Sequence, residues 1–200
     1  MLLGFYDRFL LILSPAPGNQ YAMVRTQEPP EGRLVVAVIY SSVDAVADAL
    51  RVMERRFGRV DFETADLDCN CRQTYKEEMG EDLRLRFFAF EKLVARNALP
   101  EIKSACRKIE AAFSDKVEDY MFRTVNIDPG IMTADNLVMA AARDYRHRIY
   151  LRDGVFAEIA LIWAKGRFTR LPWTSTDYCQ AEAIEFFERV RASFEVVQPV

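Results

Sequence analysis

One histidine, His147, stands in the whole chain of 200 residues. Any Ser-His-Asp or Cys-His mechanism must use it. Further along, Glu158 interrupts an otherwise apolar run, VFAEIALIW. A carboxylate in such a run is costly to bury without a partner. Between the two lies Asp153-Gly154, flanked by Tyr145–Arg152 and Val155–Trp163, the strongest hairpin signal in the chain. A regular two-residue turn sets Arg152 opposite Val155, Ile149 opposite Glu158 and His147 opposite Ala160. His147, Ile149, Leu151, Phe156, Glu158 and Ala160 then share one face. On it His147 and Glu158 are diagonal neighbours, close enough to pair. The other face carries Arg146, Arg148, Tyr150 and Arg152. Such an arginine row can hold a phosphate or carboxylate, or can simply form a solvated edge.

Two further stretches can join this hairpin. Asn126-Ile127-Asp128-Pro129-Gly130 follows an apolar strand pattern and reads as a turn, with Pro setting φ and Gly supplying φ > 0. Thr133 then caps a predicted helix over 134–143. A helix start favours anions, whereas Asn126 and Asp128 can also serve only to organise the turn. The second stretch, LPWTSTDY, places Trp173, Asp177 and Tyr178 in a Pro-containing loop. Trp173 reads either as a plug over the core or as a stacking platform for a ring. A catalytic reading assigns His147, Glu158 and Asp128. Glu158 or Asp128 acts as general base, His147 as acid, base or orienter. Asn126, Arg148, Tyr150, Trp173, Asp177 and Tyr178 are the ligand-binding candidates, with Arg148 as the anion clamp. Asp128, Asp144, His147, Asp153 and Glu158 are metal-ligand types, but their spacing fits no metal-ligand pattern, so no metal is assigned. No cofactor is identified: the chain lacks a Walker phosphate loop, G-x-G-x-x-G, H-E-x-x-H, an EF-hand loop and G-x-S-x-G.

The elements that must position these residues read as one α+β domain. Leu34–Tyr40 is a continuous apolar run and predicts a strand buried on both faces. Val43, Val46, Ala47, Leu50, Met53 and Phe57 recur at helical spacing, with Ser41 or Ser42 as cap and Gly58 as stop. Arg59–Thr64 alternates as a strand. Residues 65–81 are polar and read as a loop with a short helical turn. Arg84–Phe90 predicts a third strand, and Pro100 opens a helix through Ile102, Ala105, Cys106, Ile109 and Phe113. Phe122–Ile127 is a fourth strand. Residues 34–127 therefore suggest a ferredoxin-like βαββαβ portion of a mixed or antiparallel sheet. The predicted helix, the hairpin over 145–163, a turn at Lys165-Gly166 and a C-terminal helix over about 180–195 complete the domain at 34–197. Residues 1–33 read as an N-terminal extension and linker, with Met23 as an alternative start.

Composition narrows the class. Half of the residues are hydrophobic and 28% charged, enough apolar content to offset the ordering entropy. Twenty-seven basic against 30 acidic residues give a net charge of −3, which disfavours nucleic acid as a partner. No apolar run is long enough to span a bilayer, and Cys69, Cys71, Cys106 and Cys179 lack zinc spacing, so the chain reads as a cytoplasmic protein with free thiols. The expected partner is a small-molecule ligand. The competing reading is a non-catalytic interaction or regulatory module anchored by Trp173 and Tyr178.

VNIDPGIM, DYRHRIYLRDGVFAEIAL, LPWTSTDY, RFGRVDFE and YKEEMG together resemble a bacterial family, domain of unknown function 4416, from about Leu34 to Phe194. Some of its members carry the label GTP-binding protein; this chain has neither a phosphate loop nor an N-K-x-D motif. The resemblance implies a single domain, with Asn126, Asp128, Pro129, Gly130, His147, Arg148, Tyr150, Asp153, Gly154, Glu158, Trp173, Asp177 and Tyr178 at the family's motif positions. Asp66–Arg72 and the leading 22 residues depart from that pattern.

Overall fold

The computed structural model describes residues 27–70, 72–117 and 120–195. The expectations for residues 1–22, and Cys71, lie outside them. The chain begins with β1 (Gly32–Tyr40), α1 (Val43–Phe57), β2 (Val60–Glu63), β3 (Leu67–Asp68), α2 (Arg72–Met79), β4 (Arg84–Val94) and α3 (Leu99–Ala112). A short ribbon, β5 (Ser114–Val117) and β6 (Tyr120–Arg123), leads into β7 (Val125–Met132) and β8 (Asn136–Ala141). Then come β9 (Ile149–Arg152), β10 (Val155–Ala164), β11 (Arg167–Arg170) and α4 (Ala181–Glu195). Nine strands make one antiparallel sheet in the order β11-β10-β8-β7-β1-β4-β2, with β3 beside β4 and β9 beside β10. This is a single α+β domain.

β1 lies between β7 and β4, and all nine of its residues are buried. Its alternation serves two cores. Leu34, Val36, Val38 and Tyr40 pack under α1 and α3, against Val46, Ala49, Met53, Ile102, Cys106 and Ile109. Val35, Ala37 and Ile39 face the other way, toward Phe87 and the α4 residues Ala183, Phe186, Phe187 and Val190. Burying each such aromatic contributes roughly 1.5–3 kcal/mol relative to exposure. α1 ends at Gly58, whose φ of +100° few other residues adopt. Ser42 occupies the N-cap position but its side chain makes no capping bond.

Two sequence expectations fail together. Residues 126–130 form no turn: Asn126, Asp128, Pro129 and Gly130 continue β7, with Asp128 opposite Ala37 and Gly130 opposite Val35. Residues 134–143 form no helix: β8 takes Asn136–Ala141 of them, pairing Met139 with Gly130. The reason lies in the neighbours. β8 meets β7 only from Gly130 onward, so Val125–Pro129 is an open edge. The N–H and C=O of Ile127 both bond α3 side chains rather than β1, and Pro129, two residues on, directs its backbone the same way. Its missing N–H therefore costs no ladder bond. Gly130 is needed for close approach instead of positive φ: a Cβ there would lie 2.2 Å from Met139 Sδ and 2.8 Å from the Val138 carbonyl. A Pro-Gly pair thus serves a strand that is half edge and half tightly covered.

Candidate functional site

A cleft of about 480 Å³ opens on the α4 side of the sheet. Its floor is Ala37, Ile39, Leu85 and Phe87, from β1 and β4. Register carries functional groups onto the same face. Asn126 sits opposite Ile39, Asp128 opposite Ala37, and Glu158 opposite Met139, which in turn faces Gly130. α2 supplies Thr74, Tyr75 and Glu78 to the wall, and α3 sends Lys103, Arg107 and Glu110 past the open edge of β7.

The base of the cleft is a connected set of charges. Lys103 Nζ donates to Asp128 Oδ1 at 2.7 Å and to the Ile127 carbonyl at 2.9 Å. Asn126 Nδ2 donates to Asp128 Oδ2 at 2.7 Å. Arg123 Nη1 donates to Asn126 Oδ1, while its Nε and Nη2 bind both oxygens of Glu78 at 2.6 and 2.8 Å. Glu110 Oε1 accepts the Ile127 N–H at 2.6 Å. Lys103 and Glu110 thereby replace the absent neighbouring strand at Ile127. Burial works against the Lys103 charge, but Asp128 and Glu110 outweigh it and raise its pKa. Burial likewise opposes the Asp128 carboxylate, yet Lys103, Asn126 and Arg123 hold it below its ordinary value. Glu110 is raised, because burial exceeds what Lys103 and the Ile127 N–H return.

The hairpin forms the opposite wall. Asp153 and Gly154 have φ of +55° and +71°, the paired positive values of a type I′ turn. Arg152 faces Val155 as expected, but an irregularity follows at once. Tyr150 then faces Phe156 and Ile149 faces Ala157. The expected pairings of Ile149 with Glu158 and His147 with Ala160 are therefore displaced, and His147 precedes β9. His147 still reaches Glu158, Nε2 to Oε2 at 3.1 Å. The arginine row is dispersed. Arg148 turns to Glu158, its Nε donating to the same Oε2 at 2.6 Å. Arg152 pairs with Glu101, and Arg146 lies over the Tyr145 ring.

A second bulge, between Ile159 and Leu161, docks the LPWTSTDY loop. Trp173 Nε1 donates to the Ile159 carbonyl at 2.9 Å and Thr174 Oγ1 to the Ala160 carbonyl at 2.6 Å. The loop then carries Asp177 and Tyr178 over the cleft. Asp177 is buried and accepts from the Asn70 N–H and the Ser175 hydroxyl. The Tyr178 ring packs on Phe87 and Phe187. Its hydroxyl is raised well above the ordinary range by burial first, then by the carboxylates of Asp128, Glu158 and Asp177.

Of the nine candidate residues, Asn126, Asp128, Arg148, Glu158, Asp177 and Tyr178 line this cleft. His147, Tyr150 and Trp173 do not: His147 stands behind Glu158, Trp173 stacks on His147, and Tyr150 is exposed on β9. Sequence reasoning missed Glu78, Lys103, Glu110 and Arg123. Lys103 and Glu110 did leave a signal, since they fall on the same helical stripe as Cys106. Among the described residues no group of His, Cys, Asp and Glu is arranged to hold a metal ion, and no helix is long and apolar enough to cross a membrane.

Fold and site together define a single-domain α+β protein with a charged cleft on one face of its sheet. The family model described as Domain of unknown function (DUF4416) matches residues 30–194, and the chain belongs to that family. No curated protein and no solved structure matches the chain.

Proposed function

We propose that the protein binds a small polar molecule bearing a phosphate or carboxylate in this cleft, as a ligand-binding protein or as an enzyme. The observation that carries the reading is convergence: Asn126, Asp128, Arg148, Glu158, Asp177 and Tyr178 come from separate segments to one cavity of ligand size. Their chemistry divides the roles. Both oxygens of Asp128 are engaged by Lys103 and Asn126, so Asp128 anchors the base rather than taking a proton. Glu158 uses only Oε2, for His147 and Arg148; among the described residues its Oε1 has no partner. Glu158 is thus the carboxylate fitted to accept a proton or hydrogen bond from a ligand, with His147 and Arg148 orienting it. The order β7-β1-β4-β2 with α1 and α3 on one face supports a ferredoxin-like reading of this half. The free thiols of Cys69, Cys106 and Cys179 support a cytoplasmic location.

The test is thermal unfolding of the full chain against a panel of phosphorylated and carboxylated metabolites. A ligand at about 100 times its Kd adds roughly 2.7 kcal/mol and raises the Tm. The shift should vanish in Glu158→Gln and shrink in Tyr178→Phe. A panel without hits, or hits indifferent to both variants, would remove the reading. The interaction-module alternative has one observation of its own, the exposed Ile149, Tyr150 and Leu151 on the edge strand β9. It gains if Ile149→Lys abolishes capture of a protein partner while ligand shifts stay absent.

A further inference from the structure

Charge is unevenly divided between the depth and the mouth of the cleft. In its depth Lys103 is paired with Asp128, Arg123 with Glu78 and Arg148 with Glu158. Glu110 shares Lys103 with Asp128 and Arg123 with Glu78, the latter at 3.5 Å. Asp177 has no cation at all among the described residues: its oxygens accept from a backbone N–H and a hydroxyl, both neutral. A buried carboxylate without a counter-charge is expensive to keep ionised. Glu158 Oε1 likewise accepts no hydrogen bond among the described residues. The carboxylates of Asp128, Glu158 and Asp177 all bear on the Tyr178 hydroxyl. The inner end of the cleft therefore holds an excess of negative charge beside an aromatic face.

The mouth is the reverse. Arg107 and Arg143 line the cleft, are exposed, and make no side-chain hydrogen bond or ion pair among the described residues. Two uncommitted guanidinium groups at an opening favour an anion, and their planar donors suit phosphate or carboxylate oxygens.

Resting on the reading of the cleft as a ligand site, we propose that its ligand is zwitterionic. A primary amine lies inside against Glu158 Oε1 and the Tyr178 face, and a phosphate or carboxylate lies at the mouth on Arg107 and Arg143. The ammonium supplies the positive charge that Asp177 lacks, donates to the Oε1 of Glu158 that Arg148 and His147 leave open, and gains from the Tyr178 ring as well. A divalent cation would need several carboxylates within coordination distance of one another, and no such group exists among the described residues. An organic cation, with its hydrogens spread over a larger radius, fits the wider spacing. The two ends also fix orientation, since a reversed ligand would place its anion against three carboxylates.

The experiment is calorimetric titration of the full chain with a homologous set of aminoalkyl phosphates, the corresponding alkyl phosphates and the corresponding alkylamines. Aminoalkyl carboxylates form the second arm and decide whether the anion is phosphate or carboxylate. The best aminoalkyl probe should bind about tenfold or more tightly than the probe lacking either end. Glu158→Gln should bring aminoalkyl phosphate down to the affinity of alkyl phosphate, and Arg143→Ala should bring it down to that of alkylamine. Tyr178→Phe keeps the ring and its packing, so it should retain most of the amine advantage and guard against a folding artefact in Glu158→Gln. Alkyl phosphates that bind as tightly as aminoalkyl phosphates would overturn the inference and leave the ligand site standing. Silence from every probe also overturns it, and the metabolite panel then decides the broader reading by itself.

Discussion

The indole of Trp173 lies flat on the imidazole of His147, ring centres 5.0 Å apart and planes 7° from parallel. The edge of Tyr145 closes the other side of that imidazole. The single histidine is thus sandwiched behind Glu158 rather than presented to the cleft. It bonds the carboxylate at 3.1 Å, and Trp173 stacks on it in turn.

Trp173→Leu tests this chain of support. It removes the stack and the bond to the Ile159 carbonyl. An aromatic pair contributes about 0.5–1.5 kcal/mol beyond its area, and the half-exposed indole places this one toward the lower end. Urea unfolding should show a loss of about 1 kcal/mol with an unchanged slope. The His147 ring signals should broaden or shift in an NMR spectrum. An unaltered His147 environment would show that the stack positions nothing.

The network at the cleft base gives a pH dependence with a definite sign. Asp128 is held below its ordinary value of 3.8, so its contribution is full above that value and disappears as pH falls through the lower folded value. Glu110 has the opposite sense. Its folded pKa is raised, so its ionisation costs stability above that pKa and the cost vanishes on protonation. Lys103 is raised, so its stabilisation is complete below its ordinary value of 10.5 and is lost as pH climbs through the folded value. Asp128→Asn should therefore flatten the acid limb of stability below about pH 4, whereas Glu110→Gln should remove a decline of stability that sets in as pH rises above the ordinary value of 4.5, and so steepen the net rise of stability there. Lys103→Met strands two carboxylates and should cost about 3–5 kcal/mol near neutrality. Denaturation curves collected across pH decide it: an Asp128→Asn protein with the wild-type acid limb would refute the assignment.

Much of the fold was legible because local and tertiary signals agreed. The Leu34–Tyr40 run is buried on both faces, Gly58 stops α1, and Asp153-Gly154 makes its turn. The failures share one cause, namely information held by a neighbouring element. Pro129-Gly130 reads as a turn until the open edge beside Pro129 and the approach of Met139 to Gly130 are known. ADNLVMAAAR has good helix formers, yet β7 and β10 offer Leu137, Val138 and Met139 strand partners on both sides. Hairpin register failed by one residue because the irregularity after Val155 leaves no mark in the sequence. In the site, the hairpin and the Asp177–Tyr178 loop were legible as unusual polar residues in apolar surroundings. Lys103 and Glu110 left only their place on the Cys106 stripe, since a charge on a helix is ordinarily solvated and only the missing strand beside Ile127 gives these two a buried task; Arg123, at the end of β6, left no signal.

Gly130→Ala tests the close approach of β8 to β7. The added methyl meets the Met139 thioether, which can move, and the Val138 carbonyl, which cannot without disturbing the ladder. Overpacking of this kind costs about 1–3 kcal/mol. Met139→Ala in the same chain should recover only part of the loss, because the 2.8 Å approach to Val138 persists. Full rescue by Met139→Ala would mean that the backbone at β7 and β8 can separate freely.

α2 lies over the cleft on few apolar contacts. Met79 is its only buried residue, and the remaining side chains are exposed or half-buried. Few apolar contacts mean that α2 opens with a smaller free energy than the sheet beneath it. Beside the packing of Met79 and Tyr75 on the core, α2 is tied down by the two-bonded pair of Glu78 with Arg123, which also reaches Asn126 at the cleft base. Glu78→Ala removes both bonds at once. Amide exchange over residues 72–79 should accelerate about tenfold, equivalent to roughly 1.4 kcal/mol, while exchange in β1 stays at the wild-type rate. Trypsin should then cut first at Arg72 or Lys76. Because Thr74, Tyr75 and Glu78 form one wall of the cleft, any ligand that raises the Tm of the wild-type protein should protect α2 from both exchange and cleavage. Equal acceleration in β1 would show that α2 unfolds only with the whole domain, and the ion pair would then be part of global stability rather than a local clasp.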